Sequence, residues 1–168
     1  MKSVTIIYGS TTGNTQRAAQ SMKKKLATFD VKLVDVAKAS QADLESASNL
    51  ILGTSTWGLG DLQDDWDSFL PLLQRSSLSG KTVALYGLGD GSSYSDTFVE
   101  GMAAIYRIVK AKDCRIIGQT PIDGYDFSES SAVVDGTFVG LALDEDNESE
   151  KSDGRIDTWL DNIVSEFC

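Results

Sequence analysis

Short apolar runs alternate along the chain with segments in which apolar residues recur every three or four positions. Runs that are nearly continuously apolar and end in polar turns are typical of strands buried on both faces of a sheet. The chain has such runs at residues 4–8, 31–36, 50–54 and 82–86. Helical spacing lies at Ala18, Met22 and Leu26, at Phe98, Met102, Ile105 and Val109, and at Ile156, Leu160, Ile163 and Phe167. This order predicts a parallel sheet with helices on both faces and functional loops after the carboxyl ends of the strands.

One further helical segment contains a proline. Residues 64–74 have helical spacing, and Pro71 lies inside them. Proline lacks the backbone N–H that a helix needs and disfavours a helical conformation in the residue before it. We therefore predict that this helix is kinked, or that it ends near Leu70.

The chain beyond residue 118 breaks the alternation. Residues 119–154 contain ten acidic residues against one lysine, and they include a second strand-like run at 138–143. A last apolar helix at 154–167 must still cover the sheet. We interpret residues from about 119 to 144 as an insertion that splits or follows the last strand of a single domain spanning 1–168, since a chain of this length is the usual size of one domain.

Composition and charge exclude several classes of function. The chain has 15 Lys and Arg against 25 Asp and Glu, a net charge of −10, which repels nucleic acids and anionic membrane surfaces. It contains no histidine, so Ser-His-Asp and Cys-His catalysis and most zinc sites are excluded. The two cysteines, Cys114 and Cys168, form no paired motif. With neither a signal-peptide core nor an apolar run of about 18 residues, we expect a cytoplasmic protein.

A loop rich in hydroxyl groups follows the first predicted strand and ends where a helix begins. It consists of Ser10, Thr11, Thr12, Gly13, Asn14 and Thr15. At such a turn, free backbone N–H groups and the positive end of the helix dipole can bind a phosphate. No charged residue lies between Ser3 and Gln16, so the loop lacks the lysine of a Walker loop, and we expect a phosphate to be held rather than transferred. An ordinary polar loop that caps a helix is the alternative.

The loop after the third predicted strand places a tryptophan among hydroxyl groups and glycine. It runs through Thr54, Ser55, Thr56, Trp57, Gly58 and Leu59. An indole at the mouth of the sheet can stack on a planar ring, with backbone amides beside it for edge contacts. A single tryptophan in a loop is more often a lid over the core, and the sequence leaves both interpretations open.

The loop after the fourth predicted strand is rich in glycine and carries a second aromatic residue. It contains Gly87, Leu88, Gly89, Asp90 and Tyr94. Its glycines superficially match a dinucleotide-binding motif, but the third comes one residue early and the loop follows the fourth strand rather than the first. Tyr94 can face Trp57 across a slot. The slot has no acid–base pair, nucleophile or metal cluster, so the three loops together predict a site for a phosphorylated planar cofactor that brings its own chemistry.

These motifs resemble those of the long-chain flavodoxins, and the resemblance covers essentially the whole chain. It rests on the three loops, on Asp64-Asp65-Trp66, and on residues 123–127 and 138–147. The resemblance implies a doubly wound α/β three-layer sandwich. Its five-stranded parallel sheet would have the order 2-1-3-4-5, which is the order of the flavodoxin family itself, with the last strand interrupted by an insertion.

The resemblance also implies a cofactor and the residues that bind it. The cofactor would be FMN, bound tightly but not covalently. Residues 10–15 would hold its phosphate, and Thr56 to Leu59 would line the inner side and edge of the flavin ring. Trp57 would cover the inner face, Tyr94 would stack on the outer face, and the backbone around Gly89 and Asp90 would meet the pyrimidine edge.

The implied function is that of a low-potential one-electron carrier rather than an enzyme. Residues 54–102 hold seven acids against two bases, which would disfavour added negative charge on the flavin and steer the protein to basic patches on its partners. Those partners would be redox proteins, such as a ferredoxin/flavodoxin reductase and low-potential acceptors, which a monomer would visit in turn. The alternatives are an NAD(P)H-dependent flavin or quinone oxidoreductase of the same fold, and a binding module that has lost the flavin.

Overall fold

The computed structural model describes all residues from 1 to 168. The strands are β1 (Ser3–Gly9), β2 (Asp30–Asp35), β3 (Asn49–Trp57), β4 (Asp61–Leu62), β5 (Thr82–Leu88), β6 (Arg115–Ile117), β7 (Thr120–Pro121), β8 (Val133–Val134), β9 (Thr137–Phe138) and β10 (Leu141–Leu143). The helices are α1 (Asn14–Lys25), α2 (Gln41–Glu45), α3 (Asp64–Arg75), α4 (Glu100–Val109), α5 (Glu145–Glu148) and α6 (Ser152–Ile163).

The central sheet has the predicted strand order. Its long strands lie as β2-β1-β3-β5, all parallel, and β6 and β10 both pair in parallel with the outer edge of β5. Counted along the chain with β6 and β10 as one interrupted strand, this is the order 2-1-3-4-5. The predicted doubly wound α/β class is confirmed. The two-residue strand β4, which pairs antiparallel with the end of β3, was not predicted.

The last strand of the sheet is divided between two segments. Residues 115–117 pair with the beginning of β5, and residues 141–143 pair with its end. Between them, β7, β9 and β8 form a small antiparallel sheet. The run predicted at 138–143 is therefore not one strand, because the chain leaves the small sheet at Phe138 and joins the central sheet at Leu141. Gly140 permits this crossing, since a Cβ atom there would lie 2.1 Å from the carbonyl oxygen of Leu85.

Helices cover both faces of the central sheet. Side chains of α1 and α6 pack with alternate residues of β1 and β5 in one apolar cluster, which includes Ile6, Met22, Tyr86 and Trp159. Side chains of α3 and α4 pack on the opposite face in a second cluster around Ile7, Leu52, Leu85 and Met102. This alternation of neighbouring residues between the two faces is what a strand with both sides buried requires. The result is the predicted three-layer sandwich.

Of the two effects predicted for Pro71, an end of the helix near Leu70 is wrong, and a kink stays a prediction. Helix α3 continues through Pro71 to Arg75. The proline leaves the Asp67 carbonyl without its helical donor, but both residues are on the exposed face of the helix, where water can reach that carbonyl. An interior proline costs a helix about 3 kcal/mol, whereas each large apolar side chain buried contributes about 1.5–3 kcal/mol. The inner face of α3 buries three of them: Trp66, Phe69 and Leu73.

Parallel strands bring their carboxyl ends to one edge of the sheet. At this edge the loop after β1 meets the loop after β3, the loop after β5 and the turn that leads from β10 into α5. Loops from opposite ends of the sequence are thereby neighbours in space, as expected for the ligand-binding edge of a doubly wound sheet. None of the helices combines the length and the apolarity that crossing a lipid bilayer requires.

Candidate functional site

A cavity of about 270 Å³ opens at the carboxyl edge of the sheet. Its lining comes from four loops that are far apart in the sequence. Ten residues singled out from the sequence line it: Thr12, Asn14, Ser55, Thr56, Trp57, Gly58, Leu88, Gly89, Asp90 and Tyr94. The three loops predicted to converge therefore do so.

The other candidate residues lie outside the lining of this cavity. Thr15, Thr54 and Gly87 are buried behind it at the ends of their strands and at the start of α1. The side chain of Leu59 points into solvent and is 83% exposed. Ser10, Thr11 and Gly13 belong to the hydroxyl loop next to the cavity.

The hydroxyl loop is closed by its own side chains. The N–H of Gly13 donates to Ser10 Oγ at 2.9 Å, and Gly13 has a φ of +94°, a conformation that glycine adopts without strain. The backbone N–H groups of Thr11 and Thr12 donate to no protein acceptor. Together with the N–H groups at the start of α1, they form a set of free donors, which suits an anion such as a phosphate.

Trp57 and Tyr94 are the exposed aromatic residues of this fold. Trp57 is 39% exposed and Tyr94 is 42% exposed, and both line the same cavity. The other two tryptophans are buried in the cores. Trp57 belongs to neither core cluster, and its Nε1 donates to Ser55 Oγ at 3.0 Å. It is therefore not a lid over the core, and the two rings are available to stack on a planar ligand.

The loop around Asp90 is held by hydrogen bonds to its carboxylate. Asp90 Oδ1 accepts from the N–H groups of Ser92 at 3.1 Å and Ser93 at 2.9 Å, and from Asn147 Nδ2 at 2.8 Å. The Ser93 N–H is the main reason that the pKa of Asp90 lies below its usual value. The Asp90 carboxylate thus stays ionised at the rim of the cavity.

Two acidic residues that were not singled out from the sequence also line the cavity. Glu145 and Asp146 reach it from α5. Burial raises the pKa of Asp146, and the negative charges of Asp90, Asp144 and Glu145 raise it further. Their position in the sequence could have indicated this, because they come just after the strand segment that pairs with the end of β5. That segment ends at the same edge of the sheet as the other loops.

Arg17 is a further residue that was not singled out. Its side chain folds back over the hydroxyl loop, where it donates to Asn14 Oδ1, and a Cβ atom on Gly13 would lie 3.1 Å from its Nη1. Asn14 and Arg17 are three positions apart on α1, a spacing that makes helical side chains neighbours. A positive charge therefore lies beside the free N–H donors of the loop.

Two larger cavities lie along the inserted segment rather than at the carboxyl edge. One, of about 760 Å³, has the carboxylates of Asp96, Glu100, Asp123 and Glu129 in its lining. The other, of about 570 Å³, lies between the insertion and α6. A third larger cavity, of about 310 Å³, lies at the opposite edge of the sheet around Lys81 and Cys168. None of the three includes a residue of the hydroxyl loop, so the 270 Å³ cavity remains the candidate site.

Comparison with known proteins decides the family. The family model described as Flavodoxin matches residues 6–159. The chain belongs to the flavodoxin family. A flavodoxin of Helicobacter pylori is 44% identical over 168 residues, which is 100% of both chains. A flavodoxin of Synechococcus elongatus is 39% identical over 168 residues, 99% of each chain. The crystal structure of Fusobacterium nucleatum flavodoxin bound to flavin mononucleotide matches with a TM-score of 0.95 at 33% identity, covering 100% of both chains.

The flavodoxin assignment confirms the resemblance on which the sequence interpretation rested. In the structure the glycines at 87, 89 and 91 lie at the end of the fourth long strand and after it, whereas a dinucleotide motif follows the first strand.

Proposed function

We propose that the chain is a low-potential one-electron carrier that binds FMN tightly but without a covalent bond. The observation that carries this proposal is the pair of exposed rings, Trp57 and Tyr94, which line one cavity beside a loop with free N–H donors. A planar ring that bears a phosphate fits such an arrangement. The chemistry that FMN supplies when bound is one-electron transfer, so the protein needs no acid, base or nucleophile of its own.

Each part of the site has a proposed role. Residues 10–15 hold the phosphate through the free N–H groups of Thr11 and Thr12 and through the hydroxyl groups of the loop. The side chains of Trp57 and Tyr94 cover opposite faces of the flavin ring and exclude water from it. The backbone at Gly89 and Asp90 meets the polar edge of the ring. Arg17 adds a positive charge near the phosphate.

The carboxylates around the cavity favour a low reduction potential. Asp90, Glu145 and Asp146 all line it, and a carboxylate about 10 Å from an added negative charge costs about 0.4 kcal/mol in a near-aqueous medium. The same charges attract basic patches on other proteins and let them dissociate quickly. We infer that the partners are redox proteins, such as a ferredoxin/flavodoxin reductase and low-potential acceptors, met by a monomer in the cytoplasm.

An NAD(P)H-dependent flavin or quinone oxidoreductase is the competing function. Such an enzyme requires a second nucleotide site next to the flavin ring. The residues that line the cavity would all contact the flavin, which leaves none of them for a second nucleotide. The carrier is therefore the favoured function. Purified protein that oxidised NAD(P)H without a partner would favour the enzyme instead.

We expect one FMN per chain after reconstitution. The hydroxyl loop presents donors for one terminal phosphate, and the acidic residues at the rim disfavour a second phosphate group. Heat release of the bound ligand, followed by mass spectrometry and absorption spectroscopy, measures both identity and stoichiometry. FAD, or no flavin at all, would contradict the proposal, and riboflavin binding as strong as that of FMN would contradict the role of the loop.

Gly58→Ala should alter the redox properties more than the binding of oxidised FMN. Gly58 has a φ of +52°, and a Cβ atom there would lie 3.3 Å from Asp61 Oδ2. An alanine in this conformation destabilises the backbone by about 1 kcal/mol or more. In the proposed carrier, the peptide at position 58 turns its carbonyl toward the flavin edge, and this strain would restrict that turn. We expect the two one-electron midpoint potentials to lie closer together in an anaerobic redox titration.

The control for this experiment is Gly124→Ala. Gly124 has a φ of +84°, a Cβ atom there would have no other atom within 4 Å, and the residue lies outside the 270 Å³ cavity. It should leave the separation of the two potentials unchanged. If Gly58→Ala weakens FMN binding by the same factor in every redox state, the redox role is contradicted and Gly58 is only a turn residue.

A further inference from the structure

The loop that carries Tyr94 is fastened to the turn after the last strand. Asp144 Oδ2 accepts from the N–H of Gly91 at 3.0 Å. Asn147 Nδ2 donates to Asp90 Oδ1 at 2.8 Å and to both carboxylate oxygens of Asp144 at 3.0 Å. We call Asp144 and Asn147, with these contacts to Asp90 and Gly91, the 144–147 clasp.

The sheet brings the clasp to this loop. Strand β10 pairs with the end of β5, and the N–H of Gly89 donates to the Leu143 carbonyl at 3.0 Å. Asp144 is the next residue. Its carboxylate is the N-cap of α5, where Oδ1 accepts the N–H of Asn147 at 3.1 Å. A short helix thus begins at the point where the loop after β5 leaves the sheet.

Asp144 is buried, with 3% of its surface exposed, and the partners of its carboxylate are N–H groups rather than a basic side chain. A buried carboxylate is tolerated when such donors satisfy it. The donors come from two sides, from Gly91 in the loop and from Asn147 in α5. If the donors of either segment were lost, the buried carboxylate would have fewer hydrogen bonds. The Asp144 carboxylate therefore holds the loop and α5 together.

The loop from Asp90 to Tyr94 has few fixed points of its own. Asp90 closes its turn by accepting from Ser92 and Ser93, and the N–H of Tyr94 donates to the Asp90 carbonyl at 3.0 Å. Residues 92–94 are otherwise exposed. On its far side the loop is held at Ser95, whose carbonyl accepts from the N–H groups of Ser128 at 2.9 Å and Glu129 at 3.0 Å. On the near side the position of the Tyr94 ring depends on Asp90, and Asn147 is the residue outside the loop that holds the Asp90 side chain.

We propose that Asp144 and Asn147 are positioning residues for the flavin ring. They hold the 90–94 loop in place before the ligand arrives, so that the Tyr94 ring and the backbone at Gly89 and Asp90 meet it without first being ordered. A preorganised loop binds more tightly, because the ligand does not have to offset the entropy of ordering it. This inference rests on the proposed function, since it requires that a flavin binds in the 270 Å³ cavity.

Asn147→Ala tests the clasp in the full chain after removal of flavin. The dissociation constants of FMN, riboflavin and inorganic phosphate are measured for the parent and the variant. FMN and riboflavin share the ring, whereas inorganic phosphate reports only on the hydroxyl loop. We expect both flavins to bind about tenfold more weakly, the effect of losing hydrogen bonds to a charged group, while phosphate binding is unchanged.

Glu150→Ala is the matched control, because Glu150 is exposed and close to Asn147 in sequence but outside the clasp. It should bind both flavins as the parent does. Asp90→Ala and the double variant Asp90→Ala/Asn147→Ala complete a cycle. Because Asn147 acts through Asp90, the loss in the double variant should be smaller than the product of the two single losses. A merely structural role would lower the melting temperature without this coupling in the affinity for riboflavin.

The outcomes separate the clasp from the proposed function. If the parent binds FMN and Asn147→Ala binds it equally well, the positioning role is overturned and the carrier function stands. A loss for FMN with riboflavin unaffected would place the effect at the phosphate and would also overturn it. A parent chain that binds neither flavin would overturn the proposed function, and the clasp as a flavin-positioning device with it.

Discussion

Gly53→Ala will lower the free energy of unfolding by about 2–6 kcal/mol, the sum of an overpacked core and a broken buried hydrogen bond. Gly53 lies in β3 directly opposite Tyr86 in β5, and a Cβ atom there would lie 2.0 Å from the Cε1 and Cζ atoms of the Tyr86 ring. That ring is fully buried, and its hydroxyl donates to the Thr15 carbonyl at 2.9 Å. The Gly53 carbonyl also accepts from Trp66 Nε1 at 2.7 Å. Neither the ring nor the strand has room to give way.

The same substitution will weaken FMN binding, because Tyr86 supports the first turn of α1 behind the hydroxyl loop. Urea unfolding and a flavin titration measure the two effects separately. Gly154→Ala is the matched control: this glycine lies within α6 with no atom within 4 Å of a Cβ position, so alanine should leave the protein as stable or up to about 1 kcal/mol more stable. Most surface substitutions change the free energy of unfolding by less than about 0.5 kcal/mol. If Gly53→Ala changes it by no more than that, Gly53 is not closely packed against Tyr86.

Trp57→Ala and Tyr94→Ala will each weaken FMN binding by about 1–3 kcal/mol, the usual effect of losing one aromatic face from a stacked ring. Both side chains are exposed and line the same cavity. Each substitution should therefore change affinity much more than stability. Flavin fluorescence is quenched by stacking, so titration followed by fluorescence gives the dissociation constant directly and shows the recovery of emission.

Conservative variants sharpen this experiment. Trp57→Phe and Tyr94→Phe keep a planar ring and should retain most of the affinity. Val134→Ala is the control for loss of an exposed apolar side chain, because Val134 lies in β8 outside the 270 Å³ cavity. If both alanine variants bind FMN as tightly as the parent, the ring does not lie between Trp57 and Tyr94.

Sequence periodicity predicted the parts of the fold that are long and buried. The strands β1, β3 and β5 are apolar on both faces, and α1, α4 and α6 have clear helical spacing, so each gives an unambiguous pattern. The convergence of their loops follows from the parallel arrangement alone. Trp57 and Tyr94 could be singled out for the same reason, because both lie in these loops. The sequence left open whether Trp57 is a lid over the core, and the structure shows that it belongs to neither core cluster.

The remaining features depend on contacts that no local pattern contains. The path of α3 through Pro71 is decided by packing of the opposite helix face, and the division of residues 138–143 between two sheets is decided by the approach of Gly140 to Leu85. Strand β4 and helix α2 are too short to produce a period. The strand-like run at 138–143 indicated that the residues after it lie near the carboxyl edge, but the place of Asp146 in the cavity lining depends on the pairing of β10 with β5.

The division of the last strand also leaves no long exposed edge on that side of the central sheet. An exposed sheet edge offers a row of unpaired N–H and C=O groups on which a strand of another molecule can add. Here the edge beside β5 consists of two pieces of three residues each, separated by the insertion, so no long uninterrupted row exists. The opposite edge, β2, carries Asp30, Lys32 and Asp35, and charged side chains oppose the stacking of like strands. Both edges of the central sheet are thus protected against growth into aggregates.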